Sequence, residues 1–543
     1  MFIRFKIGFF FILSIWISVT EAQTAVNNAT RDWQRIQQLT DTAQSDASFT
    51  IQSGSTDPVE GWKLIKKSKI PFQLAILPIG ITLQNNSDHP WGINDASMIP
   101  AAGFQTQVTA GIKLSSGRFT LQIAPELVKA NNPDFPGFPS FQYNFLWNRY
   151  YKYLNQSDLP QQFGTGVYQK IFAGQSSFRY STNQLSVGIS TENIWWGPGR
   201  RNALVMSTNA PGFLHAAFNS VKPLETSIGS FEWQLIAGQL TSSGILPPDT
   251  NRVFDGHFVY QPKKEENRYI SGVAINWQPK WIKGLSLGTT SASYLYQSEA
   301  QRLADLLPLD GFIKTNKAKA GHKASLGSLY ARYMMPQDLA EVYFEYGRTD
   351  KAPNILNVLT DQSYPKGFIF GLRKLFALPH KGSFIQFATE FTQLQLDNAN
   401  LLLDSNSTSW YTNAYVRQGF TNNGKTLGAG IGPGSNSQNA EISWIKGFNK
   451  IGLVFERVVR NNDYYYYAYT PSGDFNRHWI DLSTELVAQW KCKKLMIAAN
   501  FAIIRSLNYE WFSMPSDNAA ASYFKGGWDV LNYHGQISLR YQL

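Results

Sequence analysis

The sequence predicts an all-β fold: a closed antiparallel transmembrane β-barrel with a short N-terminal periplasmic helical segment. Three observations predict it. Apolar and polar residues alternate with period two through segment after segment. An export signal opens the chain, yet no later apolar run is long enough for a membrane helix. Charged residues are only 16% of the 543, below the roughly 25% of soluble domains, while aromatics reach 14%. A barrel in lipid reconciles these, because every second residue of its wall is apolar and every other one is polar.

The N-terminus reads as a signal peptide over residues 1–22. Arg4 and Lys6 form its basic region, Ile7 to Val19 its apolar stretch, and Thr20-Glu21-Ala22 its cleavage site. No cysteine follows the cut, which argues against a lipoprotein. The single cysteine, Cys492, forbids an internal disulfide. An exported chain of this size without disulfides points to a Gram-negative outer membrane rather than an animal secretory route.

Residues 23–70 read as a periplasmic N-terminal segment. Trp33, Ile36 and Leu39 within 30–43 have helical spacing, which predicts a short amphipathic helix lying in the periplasm before the barrel. The barrel is expected over 71–543. Val108, Ala110, Ile112 and Leu114 alternate with Gln107, Thr109, Gly111 and Lys113. Phe119, Leu121 and Ile123 follow across a short turn, which makes a hairpin. Leu185, Val187 and Ile189 alternate in the same way, as do Phe231, Trp233 and Leu235, and the run from Ile480 to Trp490. Tyr533, Ile537, Leu539, Tyr541 and Leu543 share one face at the C-terminus, the pattern of a closing strand read by the barrel-insertion machinery. Residues 131–165 carry many aromatics among prolines and asparagines. That length suits an external or lumen-folded loop.

Several tempting motifs fail on context. Gly419 to Thr426, "GFTNNGKT", matches a phosphate-binding loop, which requires a following helix. Gly428, Gly430, Gly432, Pro433 and Gly434 forbid one. The segment reads as a glycine-rich turn between strands, and Lys425→Ala is expected to leave folding and function nearly unchanged. Glu341 and Glu345 share a strand face about 13 Å apart, at roughly 3.3 Å per residue. Glycosidase carboxylates lie about 5–9.5 Å apart. Lumen hydrogen bonding, with Arg348 or other arginines, is the expected role. The seven histidines show no i, i+2 or i, i+4 pair, so no metal site is expected. Cys492 falls on the apolar parity of its strand and reads as a packing residue. The sequence indicates neither a cofactor nor a nucleic-acid partner. The formal charge of +11 suits anionic lipid headgroups or an acidic glycan.

"STENIWWGPGRRNALVMSTNAPGF" fits neither helix nor plain strand. It resembles the signature of the Wzi capsule-assembly family of outer-membrane proteins. "KPLETSIGSFEWQLIAGQL", "NRYISGVAINWQPKWIKGLSLG", "ASLGSLYARYMMPQDLAEVYFEYGRTD" and "SWYTNAYVRQGFTNNGKTLGAGIGPGSNSQ" resemble later blocks in the same order. "WGINDASMIPAAGFQTQVTAG" and "IAPEL" resemble its first strands. The resemblance spans about residues 85–460. Before Pro71 the chain looks short for the periplasmic helical bundle of some members, and the last 80 or so residues match only in general character.

The resemblance implies a monomeric barrel of about eighteen strands, within the range such barrels show. It implies lectin-like attachment or assembly of capsular or exopolysaccharide at the cell surface, without catalysis. Partners expected on the two readings together are that polysaccharide, outer-membrane lipid and lipopolysaccharide, and the insertion machinery. In the signature itself, Glu192 continues the lumen-facing parity. Trp195 and Trp196 are expected on opposite sides, one in the aromatic girdle and one inward. Gly197-Pro198-Gly199 bends the chain, and Arg200 and Arg201 suit a pairing with Glu192 or with an acidic sugar. These five residues are candidates for glycan contact or lumen bracing. So are Trp147, Tyr150 and Tyr151 of the long loop, whose rings are expected to face the polymer, and Trp410, Tyr411 and Gln438 of the second block. Two other functions stay open: a passive porin or glycan conduit, and an enzyme acting on lipid A or glycans.

Overall fold

The computed structural model describes residues 25–40, 47–52, 72–308, 322–349, 365–396, 408–469, 477–512 and 529–542. The expected signal peptide and Leu543 lie outside them. The described residues form one closed antiparallel barrel of eighteen strands. Closure pairs the first strand, Gln73–Asn86, with the last, Val530–Tyr541, from Ile79↔Tyr541 to Asn86↔His534. No backbone edge is then left open to lipid. Pro78, which has no N–H to donate, sits where the register with Gly103–Ser116 shifts between Leu77 and Gly80. A proline in a paired strand belongs at such an irregularity.

The alternation decides which face meets what. Gln105, Gln107 and Thr109 are buried toward the lumen, while Phe104 and Ile112 stand outside. Leu121, Ile123, Val187, Ile189, Leu539 and Tyr541 are also exposed on the outer wall, where lipid meets them. Phe231, Trp277 and Trp281 chain together at 6.3 and 5.6 Å, and Trp444 lies 6.3 Å from Trp490. All five stand near tight turns such as Gly447-Phe448, and so mark the periplasmic girdle. Cys492 is exposed on this outer wall rather than packed in a core.

Helix α1, Ala25–Leu39, corrects one expectation. It does not lie ahead of the barrel but sits inside its periplasmic mouth. Trp33 meets Phe448 edge-on at 5.9 Å, while Ile36 and Leu39 pack with Leu375 and Ile445. Arg31, Asp32 and Arg35, set beside these apolar residues on the helix, reach the signature loop and charges on the inner wall. A helix that carries both apolar and ionic side chains finds partners for both in that mouth.

At the other end, helix α2, Asn144–Leu154, packs against helix α3, Asn462–Tyr469. These belong to the long external connections and form an outer cap.

Candidate functional site

The signature leaves the wall after strand Leu185–Ser190 and descends into the lumen. Glu192 starts the descent and faces inward, as its parity predicts. Its partner is Arg179, 2.5 Å away, with Ser177 and Ser190 also donating to it. The expected pairing of Glu192 with Arg200 or Arg201 is therefore corrected.

Trp195 and Trp196 correct another expectation. Both are buried in the lumen, at 2% and 0% exposure, and neither reaches the girdle. Strand alternation does not apply to them, because the segment is not part of the wall. It pairs instead with Ile51–Gln52, Ile51 opposite Trp196. The Arg31 guanidinium lies 4.1 Å from the Trp195 ring centre, a cation–π contact. Trp196 Nε1 donates to Gln234 at 2.7 Å.

The bend then explains its glycines. Gly197 has φ +115°, and a Cβ there would lie 2.7 Å from Glu345 Oε2; a Cβ on Gly199 would lie 1.9 Å from the Asn202 carbonyl oxygen. The freed carbonyls accept from helix α1: Arg35 Nη1 reaches Pro198 O at 2.8 Å and Arg31 reaches Gly199 O at 3.2 Å. Beyond the bend, three successive amides converge on one carboxylate. Arg200 N, Arg201 N and Asn202 N donate to Glu390 at 2.6, 3.2 and 2.9 Å, and the Tyr343 hydroxyl adds a fourth bond at 2.8 Å.

The arginine side chains brace the barrel across its bore. Arg200 pairs with Asp32 of helix α1 and with Glu441 of the wall, at 3.2 and 2.9 Å. Arg201 pairs with Glu456 and Glu485 at 3.1 and 3.5 Å. Asp32 also meets Arg373 and Lys450, and Lys450 bonds Glu441 at 2.6 Å. Glu341 gathers Arg35, Arg332 and Arg373. Glu345, on the same face, accepts from Ser328 at 2.7 Å. Lumen bonding was the role expected for both carboxylates; the arginines found at Glu341 come from helix α1 and neighbouring strands. Of this network, Arg31, Asp32, Arg35, Glu390 and Glu441 carried no recognisable sequence signal beyond parity.

The second block lies on the first. Tyr411 donates to Leu204 O at 2.8 Å and accepts from Ala429 N at 2.7 Å; Trp410 packs edge-on against it. Both rings are buried and therefore brace the lumen. Gln438 stands on the outer wall with Arg457 at 2.9 Å, outside the lumen network. Thr421–Asn422 and Lys425–Thr426 form a small hairpin, with no helix after it. Lys425 Nζ donates to the carbonyls of Ala96 and Met98 at 3.0 and 2.7 Å. This corrects the expectation that its loss is nearly silent. Lys425→Ala should destabilise the outer half by about 1–3 kcal/mol, since two buried acceptors lose their donor. Denaturant unfolding of purified barrels checks this, and wild-type stability in the variant would refute it.

The long-loop aromatics also differ from expectation. Trp147, Tyr150 and Tyr151 lie on helix α2 and are 2, 4 and 0% exposed. Tyr150 stacks on Phe138 at 4.3 Å, Trp147 meets Phe138 edge-on at 4.8 Å, and Arg252 covers the Trp147 ring at 4.5 Å. They form the core of the cap and offer no free face to a polymer.

Burial shapes the titration of this cap. It pushes Asp463 up to about 7 and Glu510 up to about 8. Unfolded carboxyls titrate near 4. The folded cap thus holds extra protons between, and the stability they lend is full in acid and is lost as pH rises through about 7 to 8. Burial lowers Lys425 to about 8, an opposing effect confined to higher pH. Protease nicking of the cap should speed severalfold from pH 5 to pH 8, and Asp463→Asn with Glu510→Gln should flatten that rise. An equal rise in the double variant would assign it elsewhere.

Fold and site together define a plugged outer-membrane barrel, its bore filled by a helix, a signature loop and a crosswise ion-pair network. The model of the family described as capsule assembly protein Wzi matches residues 80–499, and the chain belongs to that family. Among solved structures, Wzi of Escherichia coli is similar at TM-score 0.55 and 10% identity, covering 86% of this chain and 85% of that one. That protein is described as an outer-membrane protein involved in group 1 capsule assembly and as a carbohydrate-binding β-barrel. Acinetobacter baumannii OccAB2 is more distant, at TM-score 0.40 and 11% identity, covering 86% of this chain and 97% of that one. No curated protein sequence matches the chain.

Proposed function

We propose that this protein holds capsular or exopolysaccharide at the cell surface through its outer cap, without chemistry on the polymer. The observation that carries the reading is the family match over residues 80–499, to which the filled bore adds an argument against a conduit. A porin needs an aqueous lumen, whereas here the lumen charges pair with one another. A glycosidase needs two carboxyls with access to substrate, whereas Glu341 and Glu345 are both fully buried. The net charge of +11 suits an acidic polymer held by salt-sensitive contacts. The test is a null mutant together with purified protein. Polymer should pass into the medium when the gene is lost, and immobilised barrel should retain the strain's own polymer at low salt. Fully cell-bound polymer in the null mutant, or no retention, would end this reading.

A further inference from the structure

The lipid-facing wall is not evenly clad. Across the seam where the barrel closes it holds a recess of about 400 Å³, lined almost wholly by apolar atoms. Small-ligand sites span about 300–1,000 Å³. The strand registers show how the recess arises. Phe501 pairs with Leu486 on one side and with Gly535 on the other, and Gly535 pairs with Asn85 of the first strand. One row nearer the periplasm, Ala499 pairs with Ala488 and with Ile537. Gly535, Ala488 and Ala499 thus set small side chains among large ones, on the face whose other members meet lipid.

Nothing in the protein asks for the smallest of them. Elsewhere in the wall a glycine makes room for a neighbour: a Cβ on Gly188, Gly371 or Gly452 would lie 2.2, 2.1 or 2.3 Å from another atom. At Gly535 it would meet only Phe501, at 3.9 Å, and the backbone there is ordinary strand. A glycine inside a strand weakens it and often marks the close approach of a ligand. Here the space it leaves is turned to the membrane.

Place and shape select the occupant. The recess climbs from Ala488 and Ala499 to Asn85 and Phe104, each one residue from the outer end of its strand. It therefore opens to the outer leaflet, where a Gram-negative outer membrane carries glycolipid. Its apolar length suits an acyl chain. At the rim the exposed Asn85 offers an amide to the amide and hydroxyl groups of a sugar head. We propose that this recess seats one acyl chain of an outer-leaflet glycolipid of the lipid A type, with its head at Asn85. The lipid then lies across the seam and bridges the first and last strands. The seat depends on the barrel wall alone and is independent of the polysaccharide-holding reading.

Native mass spectrometry of the full-length barrel tests it. Barrel stripped of lipid by detergent exchange is titrated with purified lipid A and, separately, with phosphatidylethanolamine. Wild type should take up lipid A first as a single copy, severalfold more tightly than the phospholipid. Gly535→Leu, which fills the recess from a position with room for a side chain, should lower that uptake severalfold. Ala499→Leu, which fills it from the neighbouring strand, should do the same and serves if Gly535→Leu does not insert. Asn85→Leu should keep chain binding and lose the preference for lipid A. Val187→Leu, on the outer wall away from the seam, should match wild type. Retained heat-modifiable mobility shows that each variant is folded. Uptake without a single-copy step, equal uptake of the two lipids, undiminished uptake in the folded filling variants, or an unchanged preference in Asn85→Leu overturns the seat.

Discussion

Glu390→Ala should turn a silent barrel into a conducting one. The Glu390 side chain is the single acceptor for three consecutive amides of the signature loop and for the Tyr343 hydroxyl, and it is 1% exposed. Its loss leaves those donors facing a void. Each buried donor without a partner costs about 1–3 kcal/mol, so several kcal/mol are removed from the seating of the loop. Water then competes for the amides, and the bend at Gly197–Gly199 supplies the freedom to move. Of the ties that remain beyond the bend, those of Arg200 to Asp32 and Glu441 and of Arg201 to Glu456 and Glu485 end on flexible side chains. In planar bilayers the wild type should show no current steps and Glu390→Ala should show them. Glu390→Gln, which keeps an acceptor in place, should fall between. A variant as silent as the wild type would show that other contacts seat the loop.

Removing Tyr541 to Leu543 should abolish insertion. Tyr541 pairs with Ile79 on one side and Leu495 on the other, and Gln542 N bonds Lys494 O at 2.8 Å. Closure thus depends on the last residues of the last strand. Without them, backbone groups of both neighbours face lipid, where each unsatisfied group costs several kcal/mol. Heat-modifiable barrel should vanish from the membrane fraction. Normal amounts there would count against this account of closure.

The wall was legible because its rule is local. Lipid on one side and polar lumen on the other impose period two, and Val187, Ile189 or Leu539 show it without reference to any partner. The lumen was not legible, because parity says that a charge points inward but not what it meets. Arg35 and Glu341 are 306 residues apart, and Asp32 and Lys450 are 418 apart. Trp195 and Trp196 misled for a related reason: alternation holds only for strands of the wall, and Gly197-Pro198-Gly199 already marked the chain as leaving it. For the loop at 131–165 the missed signal was present. Trp147, Tyr150, Tyr151 and Leu154 have the spacing of one helix face, but the surrounding prolines and asparagines drew the reading toward irregular structure.

The stacking of the second block on the first has a mechanical meaning. A tether attached outside would pull on the cap. The cap is tied inward where Asp158 N bonds Gln418 O at 2.8 Å and Asn413 N bonds Gln156 O at 3.0 Å. That block is tied in turn to the signature by Tyr411 to Leu204 and by Ser207 to Leu427 and Gly428. The signature ends on Glu390, in a strand bonded along its length to both neighbours. Tension applied at the rim is thereby led through the bore and shared over the circumference of the wall. A drag on the outer loops is resisted by the whole cylinder, as a rope made fast below deck is held by the hull and not by the rail.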